Sequence, residues 1–123
     1  MRVRFFILVT VLILAAVASQ GLKSLVPRDR PFTTYSYVEK LSSGGDSSFP
    51  SGHTMEAFAM AAAISLLFAR KKIIIPVYLW ATLVAYSRIA LGVHYPSDVL
   101  AGMVIGTFIG WVVPGVFGWY SKS

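Results

Sequence analysis

Three short stretches of this 123-residue chain combine side chains suited to handling phosphate. The first is Lys23-Ser24-Leu25-Val26-Pro27-Arg28-Asp29-Arg30-Pro31, and the second is Pro50-Ser51-Gly52-His53. The third is Ser87-Arg88, followed by His94 and Asp98. Each stands at the end of an apolar run. Cations, histidines and a carboxylate are costly beside hydrocarbon, so residues of that kind line a site or a polar path. Their chemistry points to an enzyme acting on a phosphate.

His94 and Asp98 are four residues apart, and Pro96 suits the first position of a helix. One helical turn brings the carboxylate back toward the imidazole. A carboxylate bonded to one ring nitrogen fixes the tautomer, supports the imidazolium and leaves the other nitrogen as nucleophile or base. Taken alone, Asp98 reads as an acid in a helix's first turn; beside His94 and Arg88 it reads as part of a site.

Ser51 and Gly52 fall where a second helix begins. Unpaired N–H groups there attract anions, and glycine lets backbone approach a ligand. Ser51 is expected both to cap the helix and to donate to a phosphate oxygen. His53 stands at the rim as the general acid. Glu56, three residues on, is within reach of His53 along the helix and is a supporting candidate; the plainer reading has it facing lipid headgroups. Lys23, Arg30 and Arg88 supply three cations, which can clamp the charge that phosphoryl transfer spreads over three oxygens. Snorkelling at a helix end accounts for Lys23 alone and for Arg28 and Lys40. It accounts poorly for Arg88, which interrupts an apolar stretch. A metal held by His53, His94, Asp98 and Glu56 is the rival chemistry. It is disfavoured because there is no HExxH or histidine-rich cluster, and because three nearby cations oppose a divalent ion.

Long apolar segments must position these groups. Hydrophobic residues make up 56% of the chain and charged ones 13%, far from soluble-domain values. Phe5–Leu22 is 18 residues without a charge, Val99–Ser121 is 23, and Ile73–Ser87 is 15 with apolar residues continuing beyond Arg88. Since roughly 20 helical residues cross a bilayer, the expected fold is all-α. It is a single domain over 1–123, a polytopic membrane bundle of about four helices near 3–22, 52–69, 73–92 and 96–119. The alternative for the first helix is a cleaved signal peptide, with Met1-Arg2-Val3-Arg4 as its basic start and small residues at Ala15–Ser19. The apolar run passes straight into Lys23, which favours an uncleaved anchor. Arg70-Lys71-Lys72 is expected to make a tight turn, Gly92–Tyr95 the opposite turn, and Pro76 to lie in a helix's first turn. Pro114-Gly115 should loosen the last helix. Residues 32–50 form the one substantial loop, flexible in composition at Ser42–Ser48 and carrying the interface-suited aromatics Phe32, Tyr35 and Tyr37. Gly102, Gly106 and Gly110, with the alanine-rich 57–63 stretch, offer small faces for close helix packing. Packing within the bundle is the first reading of those faces, and a homodimer seam the second.

The absence of cysteine rules out disulfides and thiolate metal sites. The net charge of +6 does not point to nucleic acid, because of where it sits. With four helices, Arg2, Arg4, Arg70, Lys71, Lys72 and Lys122 share one membrane face. On the other, Lys23, Arg28, Arg30, Lys40 and Arg88 are balanced by Asp29, Glu39, Asp46, Glu56 and Asp98. The positive-inside rule puts the first face in the cytoplasm. The phosphate-handling residues then belong to the extracytoplasmic face of the cell (inner) membrane.

Lys-x6-Arg-Pro at 23–31, Pro-Ser-Gly-His at 50–53 and Ser-Arg-x5-His-x3-Asp at 87–98 together resemble the three signatures of the type 2 phosphatidic acid phosphatase superfamily. The resemblance spans about 76 residues with every spacing intact. It implies that His94 is the nucleophile of a phosphohistidine, with Asp98 as its partner. His53 would protonate the leaving group and then activate water, and Lys23, Arg30, Ser51, Gly52 and Arg88 would hold the phosphate. No metal or other cofactor is expected. Membrane members often have six spans and only four are visible here, which leaves the grip on the lipid, and the need for a second subunit, open. The expected substrate is a lipid phosphate or diphosphate, undecaprenyl diphosphate first, with phosphatidylglycerol phosphate, phosphatidic acid or lipid A phosphate as alternatives. A haloperoxidase-like use of the pocket, or a non-catalytic module that binds anionic lipid, are the competing functions.

Overall fold

The computed structural model describes residues 2–26, 28 and 48–118. Among the described residues four helices run antiparallel in chain order: α1 (Arg2–Leu25), α2 (Gly52–Phe68), α3 (Lys71–Ala90) and α4 (Pro96–Val116). Their ends lie within a few residues of those expected from the apolar runs. Three of them, α1, α3 and α4, are long and apolar enough to cross a membrane. At 17 residues, α2 is shorter, roughly 25 Å at the α-helical rise.

The short helix is the central one. It packs against α1, α3 and α4. Met55, Ala59, Ala63 and Leu67 join Ile7, Val11 and Ala15 of α1 and Val113 of α4 in one cluster. Ala57, Phe58 and Ala61 meet Ala81 and Ala85 of α3 and Val99 of α4 in the other. A helix buried all round needs no polar face, which is why its sequence is apolar without periodicity. The outer helices keep their large side chains outward: Phe5, Phe6 and Val17 on α1, Leu79 and Leu83 on α3, Val104 and Phe108 on α4 are all exposed. That is the surface a bilayer would cover.

The expected small faces mesh inside the chain. A Cβ on Gly102 would lie 2.8 Å from the carbonyl oxygen of Ser51, and Cβ atoms on Gly106 and Gly110 would run into the carbonyls of Met55 and Ala59. Backbone meets backbone along α2 and α4, as small-xxx-small packing predicts.

The turns differ in detail from expectation. Ala69 caps α2 in the left-handed region at φ 45°, costing about 1 kcal/mol in a residue with a Cβ. Arg70 precedes α3, and Lys71 and Lys72 already belong to it. Because α3 starts two residues early, Pro76 lies inside the helix rather than in its first turn; its missing N–H removes a bond to the Lys72 carbonyl. At the other end Gly92 takes φ 74°, a conformation glycine adopts without strain. The last helix passes through Pro114 and stops two residues later, with Gly118 beyond it at φ 75°. Most of the 32–50 loop, including Phe32, Tyr35 and Tyr37, lies outside the described residues.

Candidate active site

The C-terminal ends of α1 and α3 and the N-terminal ends of α2 and α4 come together at one end of the bundle. This places Lys23, Ser51, Gly52, His53, Arg88, His94 and Asp98 on a single side, and Arg2, Arg4, Arg70, Lys71 and Lys72 at the other. Arg30 lies outside the described residues.

His94 sits in the turn between α3 and α4 and is only 3% exposed. Its Nδ1 is 2.7 Å from the carbonyl oxygen of Ser48. A carbonyl only accepts, so Nδ1 carries the proton and Nε2 carries the lone pair. Asp98 is fully buried, and its Oδ2 is 3.8 Å from Nδ1. At that distance the carboxylate acts on the imidazole through charge rather than through a hydrogen bond. The expected turn-to-turn juxtaposition is present, but a backbone carbonyl, not Asp98, is the group that orients the ring.

Asp98 spends its oxygens elsewhere. Oδ2 accepts from the Tyr95 N–H at 2.8 Å, closing the start of α4, while the Asp98 N–H bonds the Tyr95 carbonyl. Oδ1 accepts from Arg28 Nη1 at 3.0 Å. The same Arg28 nitrogen reaches Ser97 Oγ at 2.7 Å, and the guanidinium lies 4.1 Å over the Tyr95 ring. Arg28, expected to be a snorkelling cation, is therefore fixed on the carboxylate. Its partner lies 70 residues away in sequence, so spacing alone carried no sign of it. The only hint was that Asp98 is a buried acid in want of a cation.

The second stretch is held from both sides. Ser51 caps α2, its Oγ accepting from the Thr54 N–H at 3.4 Å and donating to Thr54 Oγ1 at 2.8 Å. Its own N–H bonds the Asp98 carbonyl at 3.1 Å, tying the start of α2 to the start of α4. Lys23 Nζ donates to the Pro50 carbonyl at 2.9 Å, so the last turn of α1 is latched to the residue before the cap. A Cβ on Gly52 would stand 2.8 Å from Ser19 Oγ of α1; here the close approach that glycine allows is helix to helix. His53 is exposed at the mouth, and Arg88 is half-buried in the last turn of α3. Half-buried Glu56 lies three residues along α2 from His53. Among the described residues, no three His, Cys, Asp or Glu side chains are placed together to hold a metal ion.

A buried imidazole with one defined lone pair, a capped helix N-terminus and flanking cations suit a nucleophilic attack on phosphorus. The chain belongs to the PAP2 superfamily, whose sequence profile matches residues 4–122. It is a multi-pass membrane protein, in keeping with its apolar helices and with its likeness to a transmembrane PAP2-type phosphatase of Bacillus subtilis. It is 37% identical over 84 residues to a lipid A 4′-phosphatase of Bacteroides thetaiotaomicron, covering 68% of this chain and 37% of that one. It is 39% identical over 83 residues to the undecaprenyl-diphosphatase BcrC of Bacillus subtilis, covering 68% of this chain and 42% of that one. The crystal structure of Aquifex aeolicus LpxE superposes with a TM-score of 0.85 at 32% identity, over 92% of this chain and 68% of that one. The chain thus spans less than half the length of these two curated relatives.

Proposed function

We propose that this protein is a lipid phosphatase that transfers the phosphate of a lipid phosphate or diphosphate to His94 and then to water. The observation that carries this reading is the Nδ1–H···O=C bond from His94 to Ser48, which leaves Nε2 as the nucleophile. Nε2 attacks phosphorus and forms a P–N bond as the P–O bond to the leaving group breaks. The departing oxygen takes a proton from His53. The phosphoimidazole ring is then cationic, and the Ser48 carbonyl and the Asp98 carboxylate, 3.8 Å away, stabilise it. In the second half His53 removes a proton from water, the hydroxide oxygen bonds phosphorus, and the P–N bond breaks to release inorganic phosphate. Lys23, Arg30 and Arg88, with the N-terminus of α2, neutralise the phosphoryl oxygens, and Ser51 and Gly52 border them. No metal is assigned a role, and Glu56 has a place only as a support for His53.

A lipid substrate is favoured by an apolar groove of about 460 Å³ along α4. Leu100, Met103, Val104, Phe108 and Trp111 line it from α4, facing Phe58 of α2 and Tyr78 of α3. It begins two residues beyond Asp98, so a hydrocarbon chain could lie there with its phosphate at the site. Thr107 of α4 also lines the groove, and filling it by Thr107→Trp is expected to raise KM at least about fivefold for a long-chain lipid phosphate, about 1 kcal/mol. A short water-soluble phosphate ester should be little affected, and equal effects on both would show that the groove does not read the chain.

The end of the bundle that bears the site is assigned to the extracytoplasmic leaflet, because the opposite end carries Arg2, Arg4, Arg70, Lys71 and Lys72. The deciding experiment is phosphate release by purified protein from a panel in detergent, with and without chelator. The panel holds undecaprenyl diphosphate first, then lipid A phosphates, phosphatidylglycerol phosphate and phosphatidic acid. Release from at least one, unaffected by chelator, is expected; failure on all of them would overturn the reading.

A further inference from the structure

Arg28 is held at both ends of its own residue. Its carbonyl accepts the Ser48 N–H at 2.9 Å, and the Ser48 carbonyl in turn accepts from His94 Nδ1. Its guanidinium holds Asp98 Oδ1 and Ser97 Oγ and covers the Tyr95 ring. One arginine thus joins the two groups that act on the imidazole, the carbonyl that orients it and the carboxylate that lies beside it. Resting on the phosphatase reading, the geometry points to Arg28 as a positioning residue for His94, acting through Asp98 and Ser48 rather than by binding phosphate.

The charge arrangement supports this role. Asp98 is fully buried while the Arg28 side chain is 38% exposed, so the ion pair reaches from the carboxylate to the mouth of the site. A buried carboxylate needs a cation and satisfied lone pairs to stay ionised. Tyr95 N–H supplies one bond and Arg28 supplies the other together with the charge. Without the guanidinium, Oδ1 loses its donor and the carboxylate its cation, and the carboxylate can turn toward the His94 Nδ1–H, 3.8 Å from Oδ2. The proton would then be shared between Ser48 and Asp98, and the ring would no longer have one defined orientation. Planar guanidinium geometry matters as well, because Nη1 serves two acceptors while the plane stacks on Tyr95. Lysine can restore the charge but not the stacking.

The test compares Arg28→Ala, Arg28→Gln and Arg28→Lys with the wild-type chain. Losing the outer partner of a metal-ligating histidine typically costs about 10- to 100-fold, and a loss of the same order is expected for a histidine held in one orientation for attack. Arg28→Ala and Arg28→Gln are expected to lower kcat within that range while KM for the lipid changes less than about threefold, and Arg28→Lys to recover part of kcat. A rise in KM with kcat retained would make Arg28 a phosphate ligand and overturn the proposal, as would no change in either constant. A second readout does not depend on turnover. In 15N-histidine-labelled protein two rings give signal, assigned with His94→Ala. The His94 Nδ1–H should give one resonance in the wild type and a shifted or doubled one in Arg28→Ala and Arg28→Gln, as the proton divides between two acceptors. An unchanged ring in a variant that melts like wild type in detergent would refute the positioning role of Arg28. Should the wild-type chain release no phosphate from any lipid, the phosphatase reading falls, and the ring spectra still decide the role of Arg28.

Discussion

His94→Ala is expected to lower phosphate release by at least about a thousandfold with the bundle still folded, because removing a nucleophile leaves only binding and electrostatic assistance. The reaction path gives a sharper readout than rate. Wild-type protein quenched during turnover of a radiolabelled lipid phosphate should carry a phosphoryl label stable to base and labile to acid, as a P–N bond is. The His94→Ala protein should carry none. His94→Asn controls for the cavity left by a side chain only 3% exposed, since its amide can still donate to the Ser48 carbonyl. Label retained without His94, or turnover above about a tenth of wild type, would remove the covalent mechanism.

The second large effect is expected at Gly106. A Cβ there runs into the carbonyl group of Met55, and the neighbouring contact is the Ala59 backbone nitrogen at 3.1 Å. Neither is the flexible tip of a side chain, so the helices must part. Overpacking of this kind costs about 1–3 kcal/mol, and Gly106→Ala is expected to reach the upper part of that range. Activity should fall with stability, because parting α2 from α4 stretches the Ser51 N–H to Asp98 carbonyl bond. Gly21→Ala is the control: nothing lies within 4 Å of its added carbon, and a mid-helix glycine replaced by alanine gains about 0.5–1 kcal/mol. Equal melting behaviour of the two variants in detergent would show that the glycine contacts do not hold the bundle.

The helices were legible because hydrocarbon thickness sets a length that the apolar runs meet, and their ends fall close to where charges and prolines interrupt them. The convergence of the three stretches on one end followed from alternating helix direction alone. The contacts around His94 and Asp98 were not legible. One is made by the Ser48 carbonyl, and every residue carries a carbonyl, so it leaves no mark in the sequence. The other, Arg28 to Asp98, joins residues 70 positions apart; spacing favoured Arg30, two residues on, as the functional cation. Pro76 was placed a turn too early because two lysines, polar enough to read as turn, instead begin α3. The glycine repeat announced a close helix contact, but only the fold shows that α2 fills it.

That glycine contact separates two surfaces of one helix. The inner edge of α4 touches α2 through main-chain atoms, whose positions do not depend on which side chains stand elsewhere. Its outer edge, with Leu100, Val104 and Phe108, is exposed and lines the groove. If the groove holds the lipid chain as proposed, substitutions on that outer edge would retune which hydrocarbon is accepted while the distance between the two helix starts stays fixed. The main-chain seam makes the reacting end of the bundle a constant part, and the lipid-facing side of the same helix a replaceable one.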